Sequence, residues 1–166
     1  MDQHPSDEGI DPLAATILAF WFGANMTPET VTEDIQEMWF WDGAKYDAEI
    51  TTRFGHHLDL GEAGAYDHWC ESPRGRLALL ILLDQMPRHV HRRTPRAFGF
   101  DAKAREVCLE GIAQRQHEAL HPIEQLVFFL PLEHSESMAL QERCVAFYTS
   151  LSRTVRAEHR TTWENH

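Results

Sequence analysis

The sequence predicts an all-α domain of about seven helices, arranged as a bundle or short solenoid. Three observations carry this. Apolar residues recur at helical spacing, as in Leu140, Cys144, Phe147, Tyr148 and Leu151. A cap residue followed by proline recurs as a start signal, at Asp11-Pro12, Thr27-Pro28 and Ser72-Pro73. Strand signals are poor: no run alternates convincingly, and the hairpin-type dipeptide Asp42-Gly43 lies between helical patterns.

Residues 1–10 are acidic and polar and read as a disordered tail ahead of a single domain over 11–152. Asp11 and Pro12 open the first helix, where the missing proline N–H costs nothing. Leu13, Ile17, Phe20 and Trp21 form its stripe, and Gly23 closes it. Thr27 and Pro28 open a second helix with acids in its early turns, where the helix dipole favours them. In DGAKYDAEITTRFGHHL the buried face is Ile50, Phe54 and either His57 or Leu58, and a short helix over GEAGAYDHWC is expected next. Ser72 and Pro73 start the long helix, which must end or kink near Pro87. After a turn at Thr94-Pro95, Asp101 is expected to cap a helix reaching about Gln116, with Ala104, Val107, Cys108 and Ile112 as its stripe. HPIEQLVFFLPLEHSE reads as a short apolar helix broken at Pro131. Ser135 or Ser137 then caps the last helix, and 153–166 read as a polar, fraying tail. Trp21, Trp39, Trp41 and Trp69 are expected in the core, and His56, His57, His117 and His121 on solvated surface.

Composition narrows the function classes. A chain of 166 residues with net charge −11 repels phosphate backbones, so general nucleic-acid binding is disfavoured. No segment holds ~18 consecutive apolar residues, so no membrane span is expected. The start of the chain lacks the basic and apolar runs of a secretory signal. Three cysteines, with no CxxC pair, read as reduced thiols, and a cytoplasmic protein is the simplest expectation.

The chemistry gathers in two stretches. In LALLILLDQMPRHVHRR, Leu77, Leu80, Ile81, Asp84 and Arg88 share one helix face, so Asp84 extends a buried stripe. An unpaired buried carboxylate costs several kcal/mol, and Arg88 at i+4 is the nearest partner. Asp84, Gln85 and Arg88 read either as an internal bridge or as the wall of a pocket. In FFLPLEHSE, Glu133, His134 and Glu136 follow an aromatic run. A Glu-His pair there suits acid–base work, and capping of the last helix is the competing use. The basic stretch RHVHRRTPR offers Arg88, His89, Arg92, Arg93 and Arg96 either as an anion subsite or as a charged turn paired with acids. His89 and His91 form an HxH, yet without HExxH or a cysteine set no metal is expected, and no cofactor motif is present.

ILAFWFG, LLDQMPR, TPRAF, LPLEHSE and QER resemble the bacterial family called domain of unknown function 924, over about residues 17–150. The resemblance implies a tetratricopeptide-like all-α fold and no settled activity. The family's polar signature falls on Asp84, Gln85, Pro87, Arg88, Arg92, Ala97, Phe98 and Asp101, and on Glu133, His134, Ser135, Glu136, Gln141 and Glu142. The chain departs from the family at its end, where RTTWENH stands in place of a Phe-Gly-Arg-Phe-Pro-His-Arg-Asn segment. That departure raises the expectation of a homodimer covering an apolar face. The resulting expectation is a protein that binds a small anionic molecule in a polar pocket. Glu133, His134 and Asp84 would serve acid–base steps, and Gln85, Arg88, Arg92, Phe98 and Glu136 would hold the ligand. The alternative is a tetratricopeptide-like adaptor for a peptide or protein.

Overall fold

A computed structural model describes residues 9–23 and 43–158. The expected second helix, with Thr27, Pro28, Trp39 and Trp41, lies outside the described residues, as do the ends of the two expected tails. The described residues are helical and turn throughout, without a strand.

Helix α1 (Pro12–Phe22) begins as its sequence demands: Asp11 Oδ1 accepts the Leu13 N–H at 2.8 Å. It ends where Gly23 takes φ +86°, a conformation glycine adopts without steric cost. Ile17 and Trp21 are buried, with Leu13 and Phe20 packed at the core's edge. Helix α2 (Asp47–Phe54) buries Ile50 and Phe54. In α3 (Leu58–Glu62) Leu58 is the core residue, while His57 hydrogen-bonds the Tyr66 hydroxyl at 2.6 Å. The helix expected over GEAGAYDHWC does not form: Gly64 at φ +98° breaks it, and Asp67–Glu71 makes a 3₁₀ turn that buries Trp69.

Helix α4 (Pro73–Leu80) is the central element, and Ser72 Oγ accepts the Gly75 N–H at its start. A Cβ on Gly75 would lie 2.3 Å from the Trp69 carbonyl, so only glycine fits this close approach. Residues 77–83 are at most 1% exposed, which explains an apolar run without amphipathic period. The run ends in a π turn, Ile81–Gln85, and continues as the short α5 (Pro87–Val90). The expected break at Pro87 is thus a local widening. Proline has no N–H, and its ring would crowd the carbonyl four residues back. Bonding the Met86 N–H to the Ile81 carbonyl, at 3.0 Å and five residues back, relieves that crowding.

Helix α6 (Asp101–Ala113) buries Ala104, Val107 and Cys108 and stops short of Gln116. Phe100 holds its cap position, so Asp101 is not the cap; its carboxylate has another use, described below. Helices α7 (Pro122–Glu133) and α8 (Met138–Glu158) form the closing pair, with the Phe129 and Phe147 rings stacked at 3.5 Å. Pro131 does not break α7, in contrast to the sequence expectation. The proline removes one hydrogen bond close to the helix end, and bonds from His134 N to Leu130 O and Ser135 N to Leu132 O close the last turn. Helix α8 runs to Glu158, beyond the boundary expected at 152. Its Leu140, Cys144, Phe147 and Tyr148 pack within the chain, while Met138 and Val145 are exposed. His117 is not on solvated surface: its ring sits edge-on to Phe129 and Phe147 and its Nδ1 is buried.

Candidate functional site

The π turn brings Asp84 to the end of α7. Asp84 is 1% exposed, and its Oδ1 lies 2.9 Å from His134 Nδ1. A carboxylate only accepts, so Nδ1 carries the proton in this contact. The second oxygen, Oδ2, accepts from the Gln85 side-chain amide. His134 caps the C-terminal end of α7 and is 27% exposed, and Nε2 makes no hydrogen bond among the described residues. A buried carboxylate that fixes one imidazole nitrogen leaves the other to take up or deliver a proton.

Arg88 belongs to the same network in an unexpected way. Its main carboxylate partner is Asp101, gripped in a bidentate pair at 3.0 and 3.1 Å. Toward Asp84 it donates to the backbone carbonyl, and its Nη1 stands 3.7 Å from Oδ1. The expected Asp84–Arg88 bridge is therefore secondary. Four residues on, the π geometry carries the guanidinium toward α6. One face of Arg88 covers the Phe98 ring at 5.5 Å, and Phe98 is 62% exposed.

The profile described as "Bacterial protein of unknown function (DUF924)" matches residues 17–166. The chain belongs to the DUF924 family. The DUF924 chain is also similar to a solved structure, that of a protein of unknown function from Agrobacterium tumefaciens. The two are 27% identical with a TM-score of 0.70, over 90% of this chain and 84% of that one. Comparison with curated proteins gives no match.

The remaining expected site residues of this DUF924 protein divide. Glu133 and Glu136 are exposed, with no ion pair or hydrogen bond to the dyad. Ser135 is buried and caps the Ser137 N–H, and Gln141 reaches back to the Ser135 carbonyl. Arg92 is held elsewhere: Nε and Nη2 grip Asp47 at 2.6 and 2.9 Å, and His89 Nδ1 meets the same carboxylate at 2.9 Å. Burial pushes the Asp47 pKa up, but hydrogen bonds and charge from Arg92 and His89 outweigh it, and the net direction is down. Burial draws the His89 pKa down against the opposing pull of Asp47. Arg96 pairs with Asp59 and Glu62. Of the two uses open to RHVHRRTPR, these contacts are those of the paired turn.

A cavity of about 500 Å³ lies between α2 and α5, lined by Asp47, Ala48, Thr51, Thr52, His89, Val90 and Arg92. It is not the pocket expected around Asp84, Arg88 and His134, none of which lines it. The sequence reading missed Asp47, which looks like any first-turn acid of a helix. It read Asp101 as a helix cap, a position that Phe100 holds, while Asp101 pairs with Arg88. Among the described residues no group of three or more His, Cys, Asp or Glu side chains is placed to hold a metal ion. No described helix is long and apolar enough to cross a membrane.

Proposed function

We propose that this DUF924 protein binds a small molecule at the exposed edge of His134 and moves a proton to or from it. The observation that carries the reading is the 2.9 Å contact between a buried Asp84 and a partly exposed His134. Asp84 orients the ring and holds its tautomer; Nε2 meets the ligand. Gln85 fixes the second Asp84 oxygen, and Arg88 with Phe98 forms the neighbouring wall. The Glu133 side chain makes no hydrogen bond or ion pair with the dyad, so the proton is assigned to His134. An anionic ligand would compete with Asp101 for Arg88, so the reading rests on the dyad rather than on the arginines.

The test is a ¹H–¹⁵N NMR titration of the full chain with a panel of small carboxylates, phosphates and amines. Saturable shifts centred on His134, Gln85 and Arg88, lost in His134→Gln, are expected. If no compound moves these resonances, or His134→Gln binds as well as the parent, the reading fails.

A further inference from the structure

His117 stands apart from the dyad, in the 3₁₀ turn Gln116–Ala119 between α6 and α7. Its ring is half-buried among three phenyl rings, Phe128 and Phe129 of α7 and Phe147 of α8. Phe129 and Phe147 are parallel and 3.5 Å apart, and His117 lies 5.3 Å from one and 5.7 Å from the other. A ring over the face of either would be a whole layer further from its mate, so His117 stands beside the stack, against its rim. The rim of an aromatic ring is the positive part of its quadrupole. The His117 Nδ1 is buried and has no hydrogen-bond partner among the described residues. A neutral ring with its proton on Nε2 fits this place, since only a lone pair is buried there. An imidazolium does not: its Nδ1–H would find no acceptor, and its charge would face two positive rims.

We propose that His117 is an acid-released latch: the neutral ring clamps its turn against the α7–α8 pair, and protonation frees the turn and loosens α8 around Phe147. Gln116 is tied to the Arg76 guanidinium and to the Cys70 carbonyl, so the movement has a fixed base. The charges around the ring largely offset one another. Glu118 and Arg115 of the same stretch act on it with opposite signs, and they pair with each other at 3.1 Å. On α7, His121 caps the helix start, Glu124 is bound by Arg74, and Glu133 stands at the far end. On α8, burial holds Cys144 and Tyr148 neutral, and Arg143, exposed one turn before Phe147, adds only positive charge. On α6, Glu110 is turned to Arg76. Burial accordingly lowers the His117 pKa, with the pull of Glu118 opposing it. The docked ring resists a proton that the released ring takes at about pH 6.5, so acid favours release.

The experiment is amide hydrogen exchange of the full chain at pH 7.5 and 5.5, read as protection factors so that the intrinsic pH dependence of exchange is removed. NMR titration of the histidine rings accompanies it. Protection of the amides of residues 117–120 and 144–151 should fall about tenfold at pH 5.5, since a pKa difference of one unit is a tenfold change in the equilibrium. The core amides of residues 77–83 should fall less. The His117 ring should titrate below its ordinary value and carry its proton on Nε2 when neutral. His117→Phe keeps an apolar ring that cannot titrate, and its protection at 117–120 and 144–151 should fall no more than that of the core; His57 and His89 remain in that chain as internal controls. Equal protection at both pH values in the parent overturns the proposal. So does a fall shared equally by residues 77–83, which is global loss, or a fall of the parent's size in His117→Phe. A His117 ring that titrates at or above its ordinary value overturns it as well, and that measurement needs only the unaltered chain.

Discussion

Consider replacing Asp84 with asparagine, a change of one atom in a buried place. The carboxylate accepts from His134 Nδ1 at 2.9 Å and from the Gln85 amide, and stands 3.7 Å from Arg88. Hydrogen bonds to a charged group contribute about 1.5–3 kcal/mol, and neutral ones about 1, so two bonds lose about 1 kcal/mol each. The asparagine amide would also turn a donor toward the Gln85 donor, unless Gln85 flips and offers its oxygen. Against this, a neutral amide is less costly to bury than a charge. The net expectation is a loss of about 1–2 kcal/mol, or about 2–8 °C in Tm for a chain of this size. Urea denaturation followed by far-UV circular dichroism at pH 7 measures it, with an unchanged m-value as the sign that the denatured state is the same. An Asp84→Asn chain as stable as the parent, or more so, would show that desolvation of the carboxylate outweighs its bonds, and the account of a carboxylate held by design would be wrong.

Three further outcomes follow from the packing. Arg88→Met and Asp101→Asn should show a coupling of about 1–2 kcal/mol in a double-mutant cycle, between the values for exposed and fully buried pairs; Asp84→Asn should not rescue Arg88→Met. Gly111→Ala places a Cβ 2.4 Å from Arg76 Cδ and 2.6 Å from Phe128 Cζ, so overpacking of about 1–3 kcal/mol should exceed the helix-propensity gain of about 1 kcal/mol, read as a lower Tm. Burial lowers the pKa of His57, His89 and His117, so below about pH 6.5 the unfolded chain binds more protons than the folded one. Melting temperature should therefore fall as pH drops from about 7.5 to 5.5, and a flat profile would contradict the burial of these rings. Asp47, whose pKa is held down, adds a loss of the same sign only below about pH 4.

Much of the helical architecture is written locally, and the site only in part. Caps at Asp11 and Ser72 and the stripes of α1, α2 and α6 follow from neighbours a turn away, so spacing reveals them. Asp84 and His134 could be singled out because a polar residue at the end of a buried run needs a partner. That each would be the other's partner depends on how α7 packs beside α4, which no local pattern states. The proline rules held at Pro87, where the α-helix gives way to a π turn and a new helix starts at the proline. They misled at Pro131, which is buried near the end of α7, where packing outweighs the one missing hydrogen bond. Asp47 and Asp101 were hidden because a first-turn acid has a sufficient local explanation, while their real contacts lie 42 or 45 and 13 residues away in the chain.

The π turn has a consequence for how the cations are distributed. An α-helix advances about 100° per residue, and a π turn holds one residue more than an α turn. Everything after Gln85 is thus rotated by about 100° from where an uninterrupted α4 would have set it. That phase shift aims Arg88 at Asp101 on one flank and His89 at Asp47 on the other, where Arg92 joins it from the turn that follows. Removing a single residue between Ile81 and Gln85 would leave the greasy stem of α4 almost unaltered, yet it would turn the whole basic run by more than a quarter of a revolution. The dyad and the groove would lose their partners together. One extra residue thus sets the bearing of two charged clusters.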